Sequence, residues 1–170
     1  MERPDGTVGT ASTRPVRERT CARVLPVNAA GEVLLLHGWD PVDPGSPYWF
    51  SIGGGADPGE PLVDAAAREM REETGLVVAA ADLVGPVHHE VVAFDWGLWH
   101  LVQDQTYFAV RFDLAPGEEV HFGGLEPLEV GTIDRAAWWT PEALDEDGTA
   151  VSEDLTTIMR AAVDAVGGGR

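Results

Sequence analysis

The chain contains no lysine and only one cysteine, Cys21. A single cysteine excludes an intrachain disulfide, so the fold must rest on noncovalent packing. Cys21 sits in an apolar run and is expected to be a small core residue. A lone thiol also suits a reducing cytoplasm. No apolar run approaches the ~18 residues that a membrane-spanning helix requires. The polar beginning, with Pro4, Gly6 and Gly9, lacks the apolar centre of a signal peptide. A cytoplasmic protein without membrane contact is therefore expected. Positive charge is scarce too: 11 arginines stand against 29 acidic residues, for a formal net charge of −18. Such a surface repels polyanions, which argues against a nucleic-acid polymer or an anionic membrane as partner. A small phosphorylated ligand stays compatible if a metal cation stands between the charges. Part of the acidic excess needs no role beyond solubility.

What is present fits one globular domain. The 170 residues are 44% hydrophobic, enough for a real core. Residues 1–16 read as a flexible tail, 17–166 as the domain, and 167–170 as a fraying end. CARVLPV and EVLLLHGW flank Asn28-Ala29-Ala30-Gly31 and predict a β-hairpin. DPVDPGSP, residues 40–47, reads as a loop because of its prolines. YWFSI predicts a short strand running into Gly53, Gly54 and Gly55. A helix is predicted from about Pro61 to Glu73, with proline in its first turn and Gly75 as its stop. Strands are predicted near 83–94 and 103–114, then a mobile acidic loop at PGEEVHFGGLEP. A further strand is expected at 133–139. Thr140 and Pro141 should cap a short helix, and residues 154–166 have helical apolar spacing. This mixture predicts helices packed on a mixed sheet.

Within the first helix, Glu69 neighbours both Glu72 and Glu73. Glu69 and Glu73 also continue the apolar stripe of Leu62, Ala65, Ala66 and Leu76, whereas Asp64, Arg68 and Arg71 define the opposite, solvent-facing stripe. Carboxylates beside an apolar stripe repel each other and lose hydration, so they need compensation. A divalent cation supplies it; Mg²⁺ favours carboxylate oxygens and bridges to phosphate. The plain alternative is a solvated acidic face laced with Arg68 and Arg71.

The spacing Gly54-x5-Glu60-x7-Arg68-Glu69-Met70-x-Glu72-Glu73-x-Gly75-Leu76 matches every fixed position of the Nudix box, and the chain resembles the Nudix hydrolases. Ile52 stands where many members have proline before the glycines. The resemblance implies an α/β Nudix fold, an α/β/α sandwich with a mixed β-sheet. It implies Mg²⁺-dependent hydrolysis, with Mn²⁺ as the alternative, of a nucleoside diphosphate linked to another group. By carry-over, Glu69, Glu72 and Glu73 supply metal-binding carboxylates, with the Gly53 carbonyl as a backbone ligand. Glu69 is the first choice of base toward water. Arg68 orients the carboxylates, and Glu60 holds Arg68 and the helix. Gly54 and Gly75 are geometric necessities, and Leu76 is core. A later-loop acid, Glu126 or preferably Glu129, is the candidate for a further ligand.

Substrate marks are fewer. Trp39, Trp49, Trp96 and Trp99 are candidates for stacking on a base, as are Tyr48 and Phe94, though such residues more often serve core or hairpin packing. His88, His89 and His100 are weaker candidates for phosphate or metal contact. WGLWH, 96–100, is placed between two strands as a cover for the site. Marks of ADP-ribose, NADH and coenzyme A subfamilies are absent, which favours a MutT-like (deoxy)nucleoside triphosphate pyrophosphohydrolase. ADP-ribose, nucleotide sugars and dinucleoside polyphosphates stay open, as does a homodimer. Two rivals are a nucleotide sensor that does not hydrolyse, and an acidic Ca²⁺-binding module. The intact box speaks against the first, and the lack of an EF-hand loop against the second.

Overall fold

The computed structural model describes residues 13–125 and 129–167. Seven strands and three α-helices follow in order: β1 (Val16–Val27), β2 (Val33–Asp40), β3 (Asp43–Phe50), β4 (Ile52–Gly55), α1 (Leu62–Thr74), β5 (Val84–Trp96), β6 (Trp99–Arg111), β7 (Ile133–Trp139), α2 (Pro141–Asp147) and α3 (Leu155–Gly167).

Strand alternation divides the core into two layers. Ala22 and Val24 of β1, Leu34 and Leu36 of β2, and Phe108 and Val110 of β6 pack with Ala65, Ala66 and Met70 of α1. Their neighbours Leu25, Val27, Val33, Leu35, Tyr107 and Ala109 pack on the other side with Leu155, Ile158, Met159 and Ala162 of α3. Helices therefore cover both faces of one mixed, curled sheet, the α/β/α sandwich expected. The sheet mixes directions because β1 runs parallel to β6 and antiparallel to β4. Cys21 is fully buried within it, and that burial pushes its thiol pKa up, away from the reactive thiolate.

Three sequence expectations change. β1 and β2 meet only at Val27 and Val33. The Asn28–Gly31 turn forms, but the strands splay, because β1 pairs along its length with β6 and β2 pairs with β3 and β7. The proline-rich loop at 40–47 shortens, since β3 begins at Asp43 opposite Asp40. Its prolines are tolerated because β3 is an outermost strand, where a missing N–H breaks no ladder. WGLWH is not a separate loop: Trp96 pairs with Trp99 across a tight turn at Gly97, which has φ 58°. It is the tip of the long β5–β6 hairpin.

The helix signals hold. α1 ends on Gly75 in the left-handed conformation at φ 73°. The Thr140 hydroxyl accepts the Ala143 N–H at 3.1 Å to cap α2. No helix among the described residues is long and apolar enough to cross a membrane.

Candidate functional site

Two backbone features bring the carboxylates of α1 against the sheet. Gly53, at φ 147°, runs so close to β1 that a Cβ would lie 2.3 Å from the Ala22 carbonyl. At Gly54 a Cβ would lie 2.8 Å from the Glu69 carboxylate. The bare glycine backbone is what lets Glu69 and Glu73 lie over β4. Both are only 3% exposed, so the stripe seen in the sequence does face inward.

Two donors hold the carboxylates, a backbone N–H for Glu73 and one guanidinium for Glu69 and Glu72. Glu73 Oε2 accepts the Gly53 N–H at 2.9 Å. Glu69 Oε1 accepts from Arg68 Nη1 at 3.1 Å, and so does Glu72 Oε2 at 3.1 Å. The same guanidinium grips both oxygens of Glu60 at 2.9 Å and donates to the Gly55 carbonyl at 2.9 Å. Arg68 is therefore not part of a solvent-facing stripe. Its side chain folds back over the helix start, because five N–H donors find five acceptors there. Glu60 also accepts the Asp57 N–H at 3.0 Å. Its bonds to Arg68, then to Asp57, lower its pKa to about 2. Glu60 is thus a fixed anion that ties the loop to α1.

Glu73 is in the opposite condition. Burial, then the charges of Glu129 and Glu69, push its pKa well above the ordinary 4.5, against the smaller pull of Arg23 and the Gly53 N–H. A divalent cation would relieve this desolvated repulsion, so the donor chemistry fits one. Among the described residues, no three acidic, histidine or cysteine side chains are close enough together to chelate a metal. The carboxylates are drawn to Arg68 and to backbone N–H groups instead. The Gly53 carbonyl, expected as a ligand, accepts Arg23 Nη1 at 3.1 Å, which leaves one of its lone pairs. Of the two loop acids, Glu129 stands near enough to act on Glu73; Glu126 lies outside the described residues.

Beside these groups opens a cavity of about 510 Å³. Glu73, Glu129, Gly53 and Gly54 are among its lining residues. Trp39, Trp96, Trp99, Tyr48 and Phe94 line it, so three of the four tryptophan candidates reach the site. Trp49 does not. It is buried at 5% exposure, packed between His37 and Trp139, because its position in β3 points it into the α3-side core. The histidines are also elsewhere: His89 pairs with Asp104 and His100 with Asp95 at the hairpin surface, and His88 meets Tyr107 edge to face.

The sequence reading missed the cavity's polar wall. Arg17, Arg19 and Arg23 line it from β1, and Gln103 and Gln105 from β6. The signal was present as RERTCAR, with arginines separated by even numbers of residues, which places them on one strand face. It stood out little because the strand itself looked like plain core.

The NUDIX domain family model matches residues 17–160. The chain belongs to the Nudix family. It is accordingly a Nudix pyrophosphohydrolase acting on a phosphoanhydride, of a family whose mechanism depends on divalent metal. An RNA pyrophosphohydrolase of Erythrobacter litoralis is 35% identical over 112 residues, covering 61% of this chain and 67% of that protein. An RNA pyrophosphohydrolase of Novosphingobium aromaticivorans is 27% identical over 136 residues, covering 75% of this chain and 81% of its own length. The crystal structure of a MutT protein from Methanosarcina mazei superposes with a TM-score of 0.61 at 18% identity, covering 94% of this chain and all of that one. That likeness carries the fold alone. The RNA-directed relatives overturn the exclusion of nucleic-acid polymers drawn from net charge. Net charge averages over the whole surface, whereas a chain end needs only a local site, and this Nudix cavity is lined by three arginines.

Proposed function

We propose that this Nudix protein is a Mg²⁺-dependent pyrophosphohydrolase that acts on the 5′-terminal triphosphate of RNA. One observation carries the reading: Glu73, a buried α1 carboxylate repelled by Glu129 and Glu69, lines a cavity together with arginines and aromatic rings. The RNA pyrophosphohydrolase relatives support the choice of substrate.

Glu69, Glu72, Glu73 and Glu129 are the residues that would hold the cation, with the Gly53 carbonyl beside them. When bound, Mg²⁺ neutralises phosphate charge and makes water more acidic. Mn²⁺ is the natural substitute. Arg68, clamped by Glu60, fixes the directions of Glu69 and Glu72. The Gly53 N–H does the same for Glu73. Glu69 is placed as the base that takes the proton of the attacking water. Water oxygen bonds to phosphorus, the anhydride P–O bond breaks, and a phosphate or pyrophosphate leaves. Trp39, Trp96 and Trp99 stack on the terminal base, with Tyr48 and Phe94 closing around it. The reading includes a cytoplasmic setting.

A free (deoxy)nucleoside triphosphate is the second reading. It is favoured by the cavity volume of about 510 Å³, a size typical of a pocket for one small molecule. A Mg²⁺-supplemented comparison separates the two. A short 5′-triphosphorylated RNA, free NTPs and dNTPs, ADP-ribose, nucleotide sugars and dinucleoside polyphosphates are assayed for phosphate and pyrophosphate release. Conversion of the RNA end to a monophosphate, abolished in Glu73→Gln, supports the first reading. Preference for free nucleotides refutes it in favour of the second. A folded protein that binds nucleotide yet leaves every substrate intact would point to a sensor.

A further inference from the structure

Arg23 sits where the cavity meets the carboxylates, and its hydrogen bonds go to these two regions. Nη1 donates to the carbonyls of Ser51 and Gly53, each at 3.1 Å. Nε donates to Gln105 Oε1 at 2.7 Å, and Nη2 to Gln103 Oε1 at 3.3 Å. One edge of the guanidinium therefore holds the strand whose Gly53 N–H anchors Glu73. The other edge fixes two side-chain amides.

The second effect has a chemical consequence. A guanidinium has no acceptor, so each glutamine must present its oxygen to Arg23. The amide planes are thereby set, and the amino groups point away from Arg23. Gln103 and Gln105 are 4% and 5% exposed, and both line the cavity. Neither amide nitrogen is buried without a partner, and the amino groups of these two cavity-lining residues suit a ligand that brings acceptor oxygens.

We propose that Arg23 is a positioning residue that couples substrate binding to the carboxylate site. It locks Gln103 and Gln105 as hydrogen-bond donors toward the phosphate or base oxygens of the bound nucleotide. Through Gly53 it also keeps Glu73 in register. This rests on the function proposed above only in taking a nucleotide as the ligand.

The test is a double-mutant cycle between Arg23→Met and the pair Gln103→Met with Gln105→Met, with Arg23→Lys as the conservative variant. It is read in two ways: kcat and KM on 5′-triphosphorylated RNA with Mg²⁺, and the Kd for GTP from quenching of tryptophan fluorescence with Ca²⁺ in place of Mg²⁺. The glutamine pair is expected to raise KM and Kd about tenfold, as the loss of bonds to a charged ligand would. Arg23→Met is expected to raise both by a similar factor and also to lower kcat. In the Arg23→Met background, removing the glutamines should change neither KM nor Kd further, because their donors are already unfixed. Arg23→Lys restores the charge without the fork, so it should leave KM raised. Additive effects, or an Arg23→Met protein with lowered Tm but unaltered KM and Kd, would overturn the proposal. A wild type that binds GTP but ignores the RNA refutes the substrate reading alone, and the cycle is then decided by Kd.

Discussion

Glu73 shows the conflict of the site at the scale of one residue. Its pKa in the folded chain is raised by burial and by two neighbouring acids. Between the ordinary 4.5 and that raised value, the folded chain keeps a proton that the unfolded chain has released. Stability must fall as pH rises through this window. Below about 4.5 both states are protonated and the penalty is gone. Glu73→Gln removes the charge and keeps an oxygen for the Gly53 N–H. It is expected to unfold at higher temperature than wild type at neutral pH without divalent metal, with the gap closing below pH 4.5. Mg²⁺ should then raise the Tm of wild type more than that of the variant. Thermal unfolding across pH measures this, and a variant less stable at neutral pH would contradict it. Gly54 makes a complementary case. A methyl there would stand 2.8 Å from the Glu69 carboxylate, which must swing away. Gly54→Ala is expected to lower kcat about a hundredfold, the scale of a one-ångström misplacement in an active site, while Tm stays close to wild type. An active Gly54→Ala enzyme would show that the Glu69 position is not critical.

At the scale of elements, α1 was the most legible part of the chain. Its glycine stop, its apolar stripe and its inward glutamates were all written in local spacing. Gly75 adopts φ 73° with a donated bond to the Arg71 carbonyl, so Gly75→Ala is expected to cost about 1 kcal/mol for forcing a Cβ into the left-handed region. Denaturant unfolding would register this as a lowered midpoint. An unchanged midpoint would mean that the helix end rearranges. The strands were less legible, for a physical reason. CARVLPV and EVLLLHGW look like two halves of a hairpin because apolar runs around a turn carry no record of distant partners. The actual partner of β1 is β6, a parallel neighbour some eighty residues onward. For the same reason the arginine row was overlooked. Arg17, Arg19 and Arg23 become a binding wall only when β6 brings Gln103 and Gln105 beside them. Trp49 was indistinguishable from Trp39 in the sequence, yet one lies in the core and the other in the cavity. Aromatic type sets what a side chain can do, and strand direction sets where it does it.

At the scale of the whole molecule, a chain with net charge −18 combines an arginine-lined cavity with an acidic exterior. The two act over different distances. Under the proposed function, groups inside the cavity would meet a terminal triphosphate at contact range, where a cation would neutralise the carboxylates. Phosphates further along an RNA would meet only the outer field, which would repel them and is screened beyond about 10 Å at 0.1 M salt. A protein that reads RNA along its length would show the reverse arrangement, a basic track whose contacts weaken as salt rises. The expected outcome is thus a length dependence of opposite sign. A 5′-triphosphorylated dinucleotide should be hydrolysed at least as efficiently as an RNA of about twenty nucleotides at low ionic strength, and added salt should narrow the gap by screening the repulsion. Values of kcat/KM for the two lengths over a salt series decide the matter. Faster turnover of the longer RNA at low salt, declining as salt is added, would require a basic contact surface outside the cavity.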